Sequence, residues 1–128
     1  MEFRSISAGD YEAVRRFLSD AGWHRRVADA AKFEKMMRHT SRAVVVLDGD
    51  RVVGFGRALC DEVSNGYISM VAVAEDARGR GVGRELVRRL VGEDAGITWV
   101  LREGHGSRGF WEKMGFKRSA DAMERLRA

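Results

Sequence analysis

Apolar residues recur along this chain at two periods, and the change from one to the other divides it. Tyr11, Val14 and Leu18 fall at i, i+3 and i+7 behind Ser7 and Asp10, which have capping-box spacing, and predict a first helix to about Gly22. Val27, Ala30, Phe33 and Met37 predict a second, with His39-Thr40-Ser41 as its exit. The period then shortens. Ala43 to Leu47 is a β-branched run, Asp48-Gly49-Asp50 a turn and Arg51 to Cys60 a second strand, together an antiparallel hairpin. Ser64-Asn65-Gly66 reads as the next turn, with Tyr67 to Val73 as the third strand. Helical spacing returns at Leu86, Val87, Leu90 and Val91, closed by Gly92 and Gly96. Ile97 to Leu101 predicts a strand, Ser107 to Met114 a short helix, and Phe116 onward a weak terminal strand pair. Helices, then an antiparallel meander, then alternating strands and helices predict a mixed α/β sheet.

Composition narrows the class. At 128 residues the expectation is one domain, 1–128, without repeats or proline-rich linkers. Hydrophobic residues at 45% and charged residues at 33% exclude a disordered chain, and no long uncharged apolar run predicts a membrane partner. Met1-Glu2-Phe3-Arg4 lacks the pattern of a secretory signal, so a cytoplasmic protein is expected. Cys60 stands alone, and His24, His39 and His105 are widely spaced, so neither a disulfide nor a metal site is expected.

The net charge of +4 is unevenly placed: Arg78, Arg80, Arg84, Arg88 and Arg89 face Glu85 alone, which equals the whole excess. A solvated helix face is the plain explanation of such a cluster. Its position suggests more. Arg78-Gly79-Arg80-Gly81-Val82-Gly83 follows a strand and opens a helix, where backbone N–H groups and the helix dipole receive anions and glycines allow close approach. It is neither a Walker loop, which needs Gly-Lys-Ser/Thr, nor a dinucleotide fingerprint, whose third glycine is replaced by Arg84.

With these residues in place, the chain resembles the GNAT acyltransferases. Arg78 to Gly83 matches the family's Arg/Gln-x-x-Gly-x-Gly/Ala motif, preceded by the apolar Met70-Val71-Ala72-Val73. Phe110-Trp111-Glu112-Lys113-Met114-Gly115-Phe116 is similar to its Phe-Tyr-Glu-Lys-Leu-Gly-Phe segment, and Val53-Gly54-Phe55-Gly56-Arg57 to its central strand. The resemblance implies a mostly antiparallel twisted sheet, splayed at the acetyl-CoA site and flanked by helices. It implies that the pyrophosphate of acetyl-CoA lies on the amides of Arg80, Gly81, Val82, Gly83 and Arg84, with Arg78 and Gly79 shaping the turn. Met70, Val71 and Val73 would follow the pantetheine arm, and Phe110 and Trp111 would flank it. Acetyl-CoA is then the co-substrate and no metal is needed.

The reaction implied is direct acetyl transfer to a primary amine, on a small molecule or a protein, in a ternary complex. Deprotonating a lysine-like amine at pH 7 costs about 4.6 kcal/mol, from roughly 3.4 pK units. A base or a desolvating pocket is needed. Asp61 is the favoured carboxylate, since Arg57 and Asp61 recur at a similar place in small GNAT proteins; a solvated hairpin end explains Asp61 and Glu62 equally well. Trp111 stands where the family often has a tyrosine that protonates the departing thiolate, and indole has no proton to give at useful pH. Tyr67 or Ser107 would substitute, or water would serve. His105 between two glycines is a further acid–base candidate, and Trp23-His24 a candidate wall of the acceptor pocket. Two other classes stay open: a non-catalytic acyl-CoA sensor, which Trp111 favours, and a nucleic-acid module on the basic helix, which the absence of any such motif disfavours. Dimers are frequent in the family, so a homodimer is an open assembly.

Overall fold

A computed structural model describes residues 1–128. Five strands form one sheet in chain order: β1 (Glu2–Ser5), β2 (Arg42–Asp48), β3 (Arg51–Cys60), β4 (Asn65–Val73) and β5 (Thr98–Leu101). The first four are antiparallel and β5 runs parallel to β4. Helices α1 (Tyr11–Leu18), α2 (His24–Val27) and α3 (Ala30–Arg38) cover one face. On the other face lie α4 (Val82–Val91) and α5 (Arg108–Lys113). The mixed α/β architecture is the one expected from the change of period.

Two apolar layers hold the sheet between its helices. Val14, Leu18, Val27, Phe33 and Met37 meet Val45, Phe55, Met70 and Ala72 on one side. Leu86, Val87, Leu90 and Trp111 meet Val44, Val46, Val53 and Ala58 on the other. Because both faces are covered, Val44, Val45 and Val46 are all buried, and β2 reads as a continuous apolar run rather than an alternation.

Local differences from the sequence expectation have identifiable causes. β1 lies in a segment to which the sequence reading assigned no element; its four residues pair with Val44 to Leu47. The first predicted helix stops at Leu18, since a wide turn over Ser19–Trp23 places Gly22 at φ 107°. Asp29 then starts α3 by accepting the Lys32 amide at 3.0 Å. The capping contact at Ser7 forms, its amide donating to the Asp10 carboxylate at 2.8 Å. The hairpin turn expected at Ser64-Asn65-Gly66 falls earlier, over Asp61–Ser64, because Asp61 gathers the amides of Val63, Ser64 and Asn65 at 2.7 to 3.0 Å. The terminal strand pair does not form: the Phe116 amide turns back onto Trp111 O at 3.0 Å and no strand follows. No helix is long and apolar enough to cross a membrane.

One irregularity positions the site. Arg57 lies opposite Met70 and Ala58 opposite Ile68, which leaves Ser69 as an unpaired bulge in β4. At the same point β5 stops pairing, its last partner being Ile68. The sheet splays there.

Candidate active site

The splay opens a cavity of about 910 Å³ between the end of β4, the start of α4 and the β5–α5 connection. Its floor is backbone. Gly79 and Gly81 have φ 77° and 78°, a region that costs an ordinary residue roughly 1–2 kcal/mol. A Cβ at either position would meet nothing within 4 Å, so it is the backbone conformation, not crowding, that calls for glycine. None of the six amides from Gly79 to Arg84 donates a hydrogen bond; Glu85 is the first that does, to Gly81 O at 3.1 Å. Six free donors thus lie at the positive end of a helix, before open space.

The arginine cluster divides by partner. Glu85 holds Arg88 at 2.7 Å and Arg89 at 2.9 Å, and this pairing draws its carboxyl down to about 2. Arg78, Arg80 and Arg84 form no ion pair with the chain, although Arg80 reaches Asp76 O at 3.2 Å and Arg78 Nε reaches Val73 O at 3.3 Å. The positive charge left over therefore sits at the loop rather than along the helix.

Above the loop runs a free backbone edge. The Ala74 amide donates to Val53 O at 2.8 Å. Antiparallel alternation then turns Met70 and Ala72 toward β3, and Val71 presents its N–H and C=O, and Val73 its N–H, to the open side that β5 has left, the Val73 carbonyl already accepting from Arg78. An extended ligand arm can pair there as a further strand does.

Most of the candidate residues gather around this cavity. Val71, Val73, Arg78, Gly79, Gly81, Val82, Gly83 and Arg84 line it, as do Phe110 and Trp111. Phe110 stacks against Gly83, where a Cβ would come within 3.3 Å of its ring, and meets Trp111 edge to face at 5.0 Å. Trp111 is 9% exposed and packs into the α4 layer. Tyr67 and Ser107 also line the wall; the Ser107 hydroxyl donates to Gly104 O at 2.7 Å. His105 and Trp23 join them.

Four candidates lie elsewhere, His24 among them, since only its neighbour Trp23 reaches the cavity. Met70 is buried under α1–α3, on the opposite face of β4. Arg80 does not line the cavity, although its amide donates no hydrogen bond within the chain. Asp61 is outside the cavity as well. Its carboxylate accepts the Ser64 hydroxyl at 2.6 Å and three backbone amides, which hold it well below the usual carboxylate range. A carboxylate held so strongly as the anion is a poor proton acceptor. Sequence reasoning gave no role to Arg26, which lines the cavity, nor to the buried Arg57 beside it. The parity of β3 carried a signal: Arg57 stands two residues from Phe55 and so points inward.

A family model for the acetyltransferase (GNAT) domain matches residues 39–118. The chain belongs to that family. The match takes in the glycine loop, the free edge of β4 and the Phe110–Phe116 segment. Solved structures share the fold. A GNAT-family acetyltransferase from Streptococcus pneumoniae is 22% identical, with 99% of this chain and 96% of that one covered and a TM-score of 0.77. An acetyltransferase from Trypanosoma brucei is 23% identical, with 99% of both chains covered and a TM-score of 0.76. A transcriptional regulator from Bacillus halodurans is 21% identical, with 98% of both chains covered and a TM-score of 0.72. No curated protein sequence matches. GNAT acetyltransferases use acetyl-CoA as co-substrate, and the six free amides, the open space before Gly79 and Gly81 and the unpaired Arg78 and Arg84 fit a diphosphate in charge and donor count.

Proposed function

We propose that this GNAT domain, residues 1–128, acetylates a primary amine directly from acetyl-CoA in a ternary complex. The observation that carries the reading is the loop of six unpartnered amides beneath the open edge of β4. Bound acetyl-CoA supplies the acetyl group as a thioester. Arg80 to Arg84 bind the diphosphate through their N–H groups, and Val71 and Val73 orient the arm through theirs. Trp111 and Phe110 exclude water along its flank. The amide nearest the bulge at Ser69 faces the point where negative charge develops on the carbonyl oxygen.

The bonds exchanged are simple. The amine nitrogen forms an amide bond to the acetyl carbon, the thioester C–S bond breaks, and sulfur leaves with the electron pair. One proton passes from nitrogen to sulfur overall. Tyr67 lines the cavity and is the proposed proton donor to sulfur, Ser107 serving in its place only when its hydroxyl leaves Gly104 O, and the His105 imidazole can take the proton from nitrogen.

A second reading, an acyl-CoA sensor without turnover, is favoured by Trp111, whose indole cannot replace the family's tyrosine as an acid. Calorimetric titration with acetyl-CoA followed by a thiol-release assay over an amine panel separates the two. Binding with thiol release supports transfer. Binding without release in the presence of every amine supports the sensor, and no binding removes both.

A further inference from the structure

Arg57 is the one charged residue in the buried set, 6% exposed. Its Nε donates to Thr40 Oγ1 at 3.0 Å and its Nη1 to Ser69 Oγ at 2.9 Å. Both partners are neutral. Thr40 gives its own proton to Met36 O at 2.8 Å, so its lone pairs are committed to the guanidinium. The second terminal nitrogen, Nη2, donates to no atom of the chain and is not sealed from solvent. No carboxylate lies within ion-pair distance of Arg57.

This arrangement is costly. An arginine stays charged in a protein, and withdrawing an ion from water without a counter-ion opposes folding. The position explains what the cost could serve. Ser69 is the bulge residue and, with Tyr67, lines the cavity at the splay. Arg26 and Trp23, from the α2 side, line the same wall, and Arg26 forms no ion pair. Burial first, and the charge of Arg26 second, press the Arg57 guanidinium below its ordinary value, and neither arginine has a carboxylate partner in the chain.

The neighbouring carboxylates are already taken. Glu103, also in the wall, binds Arg108 at 2.8 Å and Arg118 at 2.6 Å. Glu62 binds Arg42 at 2.9 Å, and Asp61 caps its own turn. Arg26 and Trp23 lie outside the 39–118 span that the family model matches.

We propose that the acceptor is a free α-amino acid, whose carboxylate is received by Arg57 and Arg26 beside the bulge at Ser69. This rests on the acetyl-transfer reading above. An amine and a carboxylate on one carbon place the nucleophile next to the free edge of β4 while the carboxylate supplies the missing anion. The step is unchanged: nitrogen gains the acetyl carbon, the C–S bond breaks, and coenzyme A leaves as the thiol with the proton that nitrogen lost.

The test compares each of the common amino acids with its carboxamide, by thiol release from acetyl-CoA with the intact protein. At least one amino acid is expected to exceed its carboxamide by about tenfold or more in kcat/KM. R26A, at an exposed position, and R57K should each cut that preference several-fold while the acetyl-CoA affinity measured by calorimetry is kept. A readout independent of turnover is binding of the N-acetyl amino acid to the protein with coenzyme A, which should exceed binding of the N-acetyl carboxamide and weaken in R26A. Equal use of acids and amides, or turnover of only peptide amines, overturns the inference and leaves acetyl transfer standing. Acetyl-CoA binding with no turnover of any amino acid overturns it too. Failure of acetyl-CoA itself to bind removes both readings at once.

Discussion

Gly81 concentrates two demands in one residue, a left-handed backbone and an unobstructed amide. In G81V a β-branched side chain must adopt φ 78° and stand in the open space, so acetyl-CoA binding measured by calorimetry should fall below detection. The circular dichroism spectrum should be retained, because Gly81 contributes nothing to either core layer. Tyr67 tests the chemistry instead: Y67F should lower kcat by about tenfold or more, within the range of a lost general acid, and leave the acetyl-CoA dissociation constant unchanged. For D61N the expected result is near-normal turnover with an unchanged pH profile, since that carboxylate holds a turn outside the cavity; a fall in kcat alone would restore it to the mechanism. The glycine loop was legible from sequence because backbone conformation restricts residue identity directly. Asp61 was not, since an acidic residue at a strand end has the same composition whether it caps a turn or accepts a proton.

At the scale of elements, the end of β4 decides the site. Gly66 lies under Trp99, and a Cβ there would come within 2.3 Å of the indole ring. G66A should therefore displace Trp99, loosen the β4–β5 pairing and destabilise the fold by about 1–3 kcal/mol, seen as a lower midpoint of thermal unfolding. α4 is anchored through Leu86, fully buried against the sheet. L86A should cost about 2–5 kcal/mol, and any loss of acetyl-CoA affinity should track loss of fold rather than loss of the loop. The helical and strand periods located β2 to β5, α4 and α5 because apolar side chains must face a core whatever their neighbours are. β1 escaped notice since four residues carry too little pattern, and the break after Leu18 since nothing in the 3.6 period marks an end before Gly22, which only the packed chain turns to φ 107°.

Across the molecule, carboxylates paired with arginines set the response to acid. Asp10 with Arg4, Glu12 with Arg15 and Glu85 with Arg88 are drawn from ordinary values of 3.8 or 4.5 to about 2. Folded, these groups bind protons more weakly than they do unfolded, so the unfolded chain gains protons first as pH falls. Their contribution is complete above about pH 5 and is lost progressively toward pH 2. The thermal midpoint should be level from pH 7 to 5 and drop below about 4.5; a flat profile down to pH 3 would show these pairs to be without net effect. By itself the sequence determined the layers and the glycine loop, because burial periodicity and left-handed glycines are local consequences of side-chain size and polarity. Only the tertiary structure decided that Ser69 bulges, that β5 leaves Val71 unpaired, and that a buried Arg57 without a counter-ion bonds to Ser69 in the wall that Arg26 also lines. Those are relations between segments distant in the chain, and no residue records in its own identity which partner another strand or helix will bring beside it.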